Sequence, residues 1–143
     1  MRLTRYADYS LRVLTYLAVN PEGFGTIQGI SEAYGISRNH LMKVVLQLSR
    51  KGYIETTRGK GGGLTLRMPP DRITVGQVVR DMEPDLDLVE CFGEGGQCVI
   101  SPACKLKTVL RDALEAFLDV LDEYTVSDLA RPPRPLVRLL SLA

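Results

Sequence analysis

Three cysteines carry the most specific chemistry in this chain: Cys91, Cys98 and Cys104, all within the fourteen residues CFGEGGQCVISPAC. An odd count argues against a secreted disulfide framework, which favours an even number. The intervals are six residues and then five, wider than the tight cysteine pairs of structural zinc sites. No fourth cysteine exists, and the single histidine, His40, lies far away in sequence. Thiolates suit soft or borderline centres, iron–sulfur clusters among them. A wide, glycine-rich loop can wrap a centre larger than one ion. Three thiolates leave one position on such a centre open or unusually filled, where a diatomic gas or an oxidant could attack. Three other readings stay open on spacing alone. They are a redox disulfide with one thiol left over, zinc completed by a carboxylate or water, and chemically idle cysteines.

A second group of residues points to a different partner. The net charge of +1 says little, but its distribution says more. From Arg38 to Arg72 eight basic residues stand against two acidic ones, a local charge of +6. From Asp81 to Cys98 there are six acids and no Lys or Arg. The first segment suits a polyanion and the second repels one.

These residues must be positioned by something, and the patterning says what. Leu3, Tyr6, Ala7, Leu14, Leu17 and Ala18 recur at helical spacing, so the first twenty residues read as a helix that Asn20-Pro21 stops. Residues 21–25 read as a loop. A short helix follows, capped by Thr26, with Ile27, Ile30 and Ala33 on one face. Gly35 marks a tight turn. Ser37 then caps a helix from Arg38 to about Arg50, with Leu41, Val44, Val45 and Leu48 on its apolar face. Two helices around a glycine turn, the second polar in its first turns, form a helix-turn-helix. YIETTR and LTLRM flank the turn GKGGG as a β-hairpin, which makes the motif a winged one, with Arg58 and Lys60 at its tip.

Pro69-Pro70 ends this unit. Ile73 to Met82 reads as a short helix capped by Thr74, and 84–101 as a loop. Ser101-Pro102 is expected to open a long helix, with Ser as the cap. Leu106, Val109, Leu110, Ala113, Phe117, Val120, Leu121 and Tyr124 line one side of it. That narrow stripe suits pairing with a second copy across a two-fold axis better than packing within one domain, since such DNA readers work as dimers on palindromic sites. The tail ARPPRPLVRLL is expected to be partly disordered or to dock on the dimer. The expected fold is thus mainly α with a small β-hairpin, a winged helix-turn-helix plus a long C-terminal dimerisation helix. Residues 1–70 form the DNA-binding domain, 71–105 the linker helix and cysteine loop, and 102–143 the dimerisation helix and tail.

A helix of this kind fits the major groove of double-stranded DNA, where its early residues reach base edges. Ser37, Arg38, Asn39 and His40 occupy that position, with Lys43 one turn later. Arg38 can bond guanine bidentately and Asn39 adenine. Lys43, Arg50, Arg58 and Lys60 are better placed for phosphates. His40 reads as a DNA contact or a local hydrogen-bonding residue and not as a metal ligand. An enzyme is not expected, because no nucleophile–base pair is evident and GKGGG lies in a hairpin instead of opening a helix as a phosphate loop would. No apolar run approaches a membrane span, and MRLTRYADYS lacks the features of a secretory signal, so a cytoplasmic protein is expected.

MRLTRYADYSLRVLTYLA, ISRNHLMKVVLQLSRKGYIETTRGKGGGLTL and the ordered cysteine trio together resemble the iron–sulfur winged-helix repressors, from the N-terminus to about Leu129. The resemblance is strongest to the nitric-oxide-sensing branch of that family. In the branch that regulates cluster assembly, a histidine three residues after the third cysteine completes the ligand set. Here that position is Lys107, whose ammonium has no lone pair for a metal. The resemblance to the nitric-oxide branch implies a [4Fe–4S] cluster, with [2Fe–2S] as the alternative, held by the three thiolates and by Asp8 of the partner subunit. Arg12, one turn after Asp8, would share its face and could pair with it near the cluster. The family resemblance further implies a homodimeric repressor that leaves its palindromic operator when nitric oxide attacks the cluster. The alternatives are a family member responding to iron–sulfur status or redox state, and a small iron–sulfur redox protein.

Overall fold

The computed structural model describes residues 1–142. Its first helix, α1 (Arg5–Val19), starts where the Thr4 hydroxyl accepts from the Ala7 N–H. Glu83 fixes that start from a distant part of the chain: its carboxylate accepts both the Thr4 N–H, at 2.7 Å, and the Thr4 hydroxyl, at 3.1 Å. Ala7, Val13, Leu14 and Leu17 are buried along α1. Around them pack four later helices and two strands.

Helix α2 (Ile27–Tyr34) is capped by Thr26 and closed by Gly35, whose φ of +67° is the left-handed conformation that glycine adopts without strain. Helix α3 (Arg38–Arg50) is capped by Ser37, which accepts from the His40 N–H at 3.1 Å. Leu41, Val44, Val45 and Leu48 bury its inner face. Strands β2 (Ile54–Thr57) and β3 (Gly63–Leu66) form the wing, with Ile54 opposite Leu66 and Thr57 opposite Gly63. The turn between them requires glycine at Gly62, where a Cβ would sit 2.2 Å from the Thr57 carbonyl oxygen.

The sheet has one strand more than the hairpin expected. Phe24–Gly25, expected as loop, forms β1 and pairs with β3, giving the antiparallel order β1-β3-β2. Two residues are too few to show an alternating pattern; the strand exists because β3 offers its free edge. The fold remains mainly α with a small wing sheet, as expected.

Helix α4 (Val75–Met82) is capped by Thr74. The long helix α5 (Lys105–Asp122) begins later than expected. Ser101–Ala103 is a separate 3₁₀ turn, and Cys104 is the residue that caps α5. The Arg80 guanidinium grips Asp122 at 2.6 and 2.8 Å and ties α4 to the end of α5. The apolar stripe of α5 divides in two. Leu114, Phe117, Leu118 and Leu121 pack on Val75 and Val79 within the same chain. Leu106, Val109, Val120 and Tyr124 are each about half exposed or more. The tail is a helix of the same chain's core: after α6 (Val126–Leu129), α7 (Pro133–Leu139) places Leu136, Val137 and the buried Leu140 against it.

The wing is fastened to this body by Tyr53, a residue 1 % exposed whose hydroxyl donates to the Asp81 carboxylate at 2.5 Å. Lys51 approaches the same carboxylate at 3.6 Å. Burial, and then the bond to Asp81, hold the phenol above its ordinary pKa. Tyr53→Phe keeps the ring and deletes the bond. It is expected to cost about 1 kcal/mol, read as a lower urea midpoint at unchanged slope. An unchanged midpoint would show that the bond does not hold the wing.

Candidate nucleic-acid interface and cysteine loop

The residues expected to meet DNA lie at the start of α3 and on the wing. Ser37, Arg38 and Asn39 are exposed at the N-terminus of α3, with Lys43 and Arg50 exposed further along. Arg58 and Lys60 are exposed in the wing turn, Lys60 between glycines at φ +93° and +79° and Arg58 just before the first of them. The cap geometry explains the first group. The Ser37 hydroxyl accepts the His40 N–H and starts the helix there, so Arg38 and Asn39 stand in its first turn with exposed side chains. His40 is placed differently. Its half-buried ring stands edge-on to Tyr6 and Tyr9 of α1, with centroids 5.8 and 4.8 Å away. It has aromatic partners on α1, where Arg38 and Asn39 have open solvent.

The outer face of α1 carries a second network. Asp8 and Arg12 form a bidentate ion pair, at 3.0 Å from Nε and 2.9 Å from a terminal nitrogen. The carboxylate, as the main influence, raises the Arg12 pKa. The Arg12 guanidinium lies over the rings of Tyr9 and Tyr34, 5.4 and 5.8 Å from their centroids. Tyr34, on α2, donates its hydroxyl to the Arg12 carbonyl at 3.2 Å. Asp8 is therefore linked to α2 through Arg12 and Tyr34, and Tyr9 links the same group to His40 on α3. Pairing Asp8 with Arg12 was legible from their spacing of four. The tyrosines were not, because nothing local marks them as partners of Arg12.

The loop from Glu83 to Cys104 is ordered by short turns. Cys91 lies in the 3₁₀ turn Glu90–Phe92, and Arg111 of α5 sits 5.6 Å over the Phe92 ring. Gly95, at φ +85°, lets the chain double back, so that a Cβ on Gly96 would come within 3.0 Å of the Cys91 Cα. The Cys98 carbonyl accepts from the Ser101 N–H at 3.1 Å. The Cys104 sulfur accepts from the Lys107 N–H at 3.4 Å, at the positive end of the α5 dipole. Lys107 turns its ammonium to the Ser101 hydroxyl at 3.3 Å.

All three cysteines are free and half-buried. Among the described residues no three His, Cys, Asp or Glu side chains converge as a metal site, so one chain does not gather the cysteines, with or without Asp8, into a formed centre. The donor chemistry nevertheless suits a thiophilic centre. The thiols are unpaired, one faces a helix N-terminus, and the glycines let the loop tighten.

A glycine-turned helix pair whose second helix presents Arg38 and Asn39 beside a basic wing defines a winged-helix DNA-binding regulator of transcription. The chain belongs to the Rrf2 family of iron-dependent transcriptional regulators, whose model matches residues 3–132. It is 51 % identical over 144 aligned residues to the HTH-type transcriptional regulator NsrR of Bacillus subtilis, covering 99 % of each chain. It is 50 % identical to the NsrR of Bacillus licheniformis, over 99 % of this chain and all of that one. Its fold is similar to that of oxidised CymR of Staphylococcus aureus, with a TM-score of 0.73, 26 % identity, and coverage of 92 % of this chain and 97 % of that one. Among the described residues no helix is long and apolar enough to cross a membrane.

The wing's part in binding has a direct measure. Lys60→Ala is expected to weaken binding to all duplexes alike. The slope of log affinity against log salt should become shallower by roughly one. A slope equal to wild type would place Lys60 away from phosphate.

Proposed function

We propose that this protein is a cytoplasmic homodimeric repressor that holds an iron–sulfur cluster on Cys91, Cys98, Cys104 and Asp8 of the partner subunit, and that releases its operator in response to nitric oxide. The observation that carries the reading is a tether. The loop bearing three unpaired thiols is tied through Glu83 and Thr4 to α1, and α3 packs on α1. Near half identity along the whole chain to regulators named NsrR supports it.

Placement supports the homodimer and a role for Asp8 within this reading. Leu106, Val109 and Val120 of α5, with Tyr124 just past its end, form an apolar face that the chain leaves open, which suits pairing with a second copy. The three cysteine thiolates and Asp8 of the partner subunit would hold a [4Fe–4S] cluster, which would supply iron open to nitric oxide. Asp8 has two uses for one carboxylate: the oxygens that would bind iron in the partner are those that Arg12 holds at about 3 Å. An exposed ion pair of this kind is worth only a few tenths of a kcal/mol, so Arg12 competes weakly for Asp8 and recaptures it once it is free. Because Arg12 and Tyr9 touch Tyr34 and His40, movement of Asp8 reaches both helices of the reading head.

Optical and Mössbauer spectra of anaerobically purified protein, before and after nitric oxide, test the reading. Expected are thiolate-to-iron absorption, an iron spectrum that identifies the nuclearity, and loss of operator binding after nitric oxide. Asp8→Ala is expected to retain iron on the cysteines, with a changed Mössbauer spectrum and altered cluster stability. Unchanged cluster stability and an unchanged nitric-oxide response in that variant would remove Asp8 from the mechanism. A colourless, iron-free protein that still binds its operator would remove the cluster.

A further inference from the structure

The outward face of α3 is not wholly polar. Met42 is 54 % exposed and Leu46 49 % exposed, while the inward residues Leu41, Val44, Val45 and Leu48 are at most 5 % exposed. Neither Met42 nor Leu46 belongs to the hydrophobic core. They stand one turn apart on the surface opposite it. Met42 follows Arg38 by four residues and Asn39 by three, so all three side chains are neighbours on the helix surface. Leu46 stands likewise between Lys43 and Arg50. Single exposed aliphatic residues are ordinary on protein surfaces. Two in register, enclosed by the basic and amide side chains of a DNA-reading helix, need a partner that is apolar and sits within a polyanion.

The major groove offers one such group, the C5 methyl of thymine. The basic rim of Arg38, Lys43 and Arg50 selects the same ligand by charge, since it draws the helix towards phosphates and brings its centre onto base edges. We propose that Met42 is a specificity-determining residue that reads a thymine methyl in each operator half-site, with Leu46 extending the apolar strip. The inference rests on α3 being the reading helix of the proposed repressor. A flexible thioether suits the task, because it can follow a methyl group that shifts with local groove geometry. Its direction is defined as well. Asn39 favours adenine and Arg38 guanine, so Met42 adds discrimination at a position that neither polar side chain reads.

The test uses duplexes selected from a randomised pool by the cluster-loaded wild-type protein, with deoxyuridine replacing thymine one position at a time. This removes one methyl and leaves the hydrogen-bonding edge intact. At one thymine or more in each half-site, wild type is expected to bind the uracil duplex about fourfold more weakly, the worth of one buried methyl group. Met42→Ala is expected to bind the two duplexes equally at that position. Met42→Leu should retain the preference, and Lys43→Ala should weaken both duplexes while keeping their ratio. Equal binding of thymine and uracil duplexes by wild type overturns the inference and leaves the repressor reading intact. Retained discrimination in M42A also overturns it, as does a change in oligomeric state with no change in the ratio. Failure of wild type to select any duplex overturns the repressor reading itself, and the inference with it.

Discussion

The reading helix and the entrance to the cysteine loop are both fastened to one helix. Helix α1 buries Ala7, Val13, Leu14 and Leu17 against its neighbours, so it cannot translate without repacking several interfaces together. Packed interfaces of this kind shift between discrete arrangements more readily than they deform by degrees. Its N-terminus is also held from outside, because Thr4 gives both its amide and its hydroxyl to Glu83 at the mouth of the cysteine loop. A helix buried along its length and clamped at one end carries a local change as a rigid body. That makes it a suitable link between a chemical site and a reading head.

The outer face of α1 has the complementary character. Asp8, Arg12, Tyr9, Tyr34 and His40 meet there through one ion pair, two cation–π contacts, an edge-on ring contact and one long hydrogen bond. Each is worth on the order of 1 kcal/mol or less, far below the cost of disturbing the buried face. The strong side of the helix defines what moves together, and the weak side defines what can be exchanged. A sensor needs both, since a site bound only by strong contacts would not respond to a small ligand.

Much of this was legible in the sequence because it is written locally. Thr26, Ser37 and Thr74 sit at three helix starts as hydroxyl caps, and Gly35 and the wing glycines are where positive φ or crowding requires them. What escaped was non-local or locally misleading. Strand β1 has two residues and exists only through β3. Ser101-Pro102 looks like a helix start, yet the chain spends it on a 3₁₀ turn and hands the cap to Cys104. The Pro-rich tail reads as loose, but the prolines fall at the start of α7 and its leucines reach the core. Of the cysteine loop, residue types and spacing indicated the chemistry. The part given to Asp8 came from family resemblance alone, because an acid in the first turn of a surface helix has no distinguishing mark.

Helix α5 has a further consequence, for abundance. Of its eighteen residues only Leu118 is buried by its own chain, and its other apolar face stands open. A second copy covering that face would add to the anchorage that α4 already gives α5. If the cover is a second copy, the folded, paired form grows with the square of protomer concentration while the protein is scarce. The number of copies in a cell then becomes part of the regulator's threshold. Halving the supply would remove more than half of the active species.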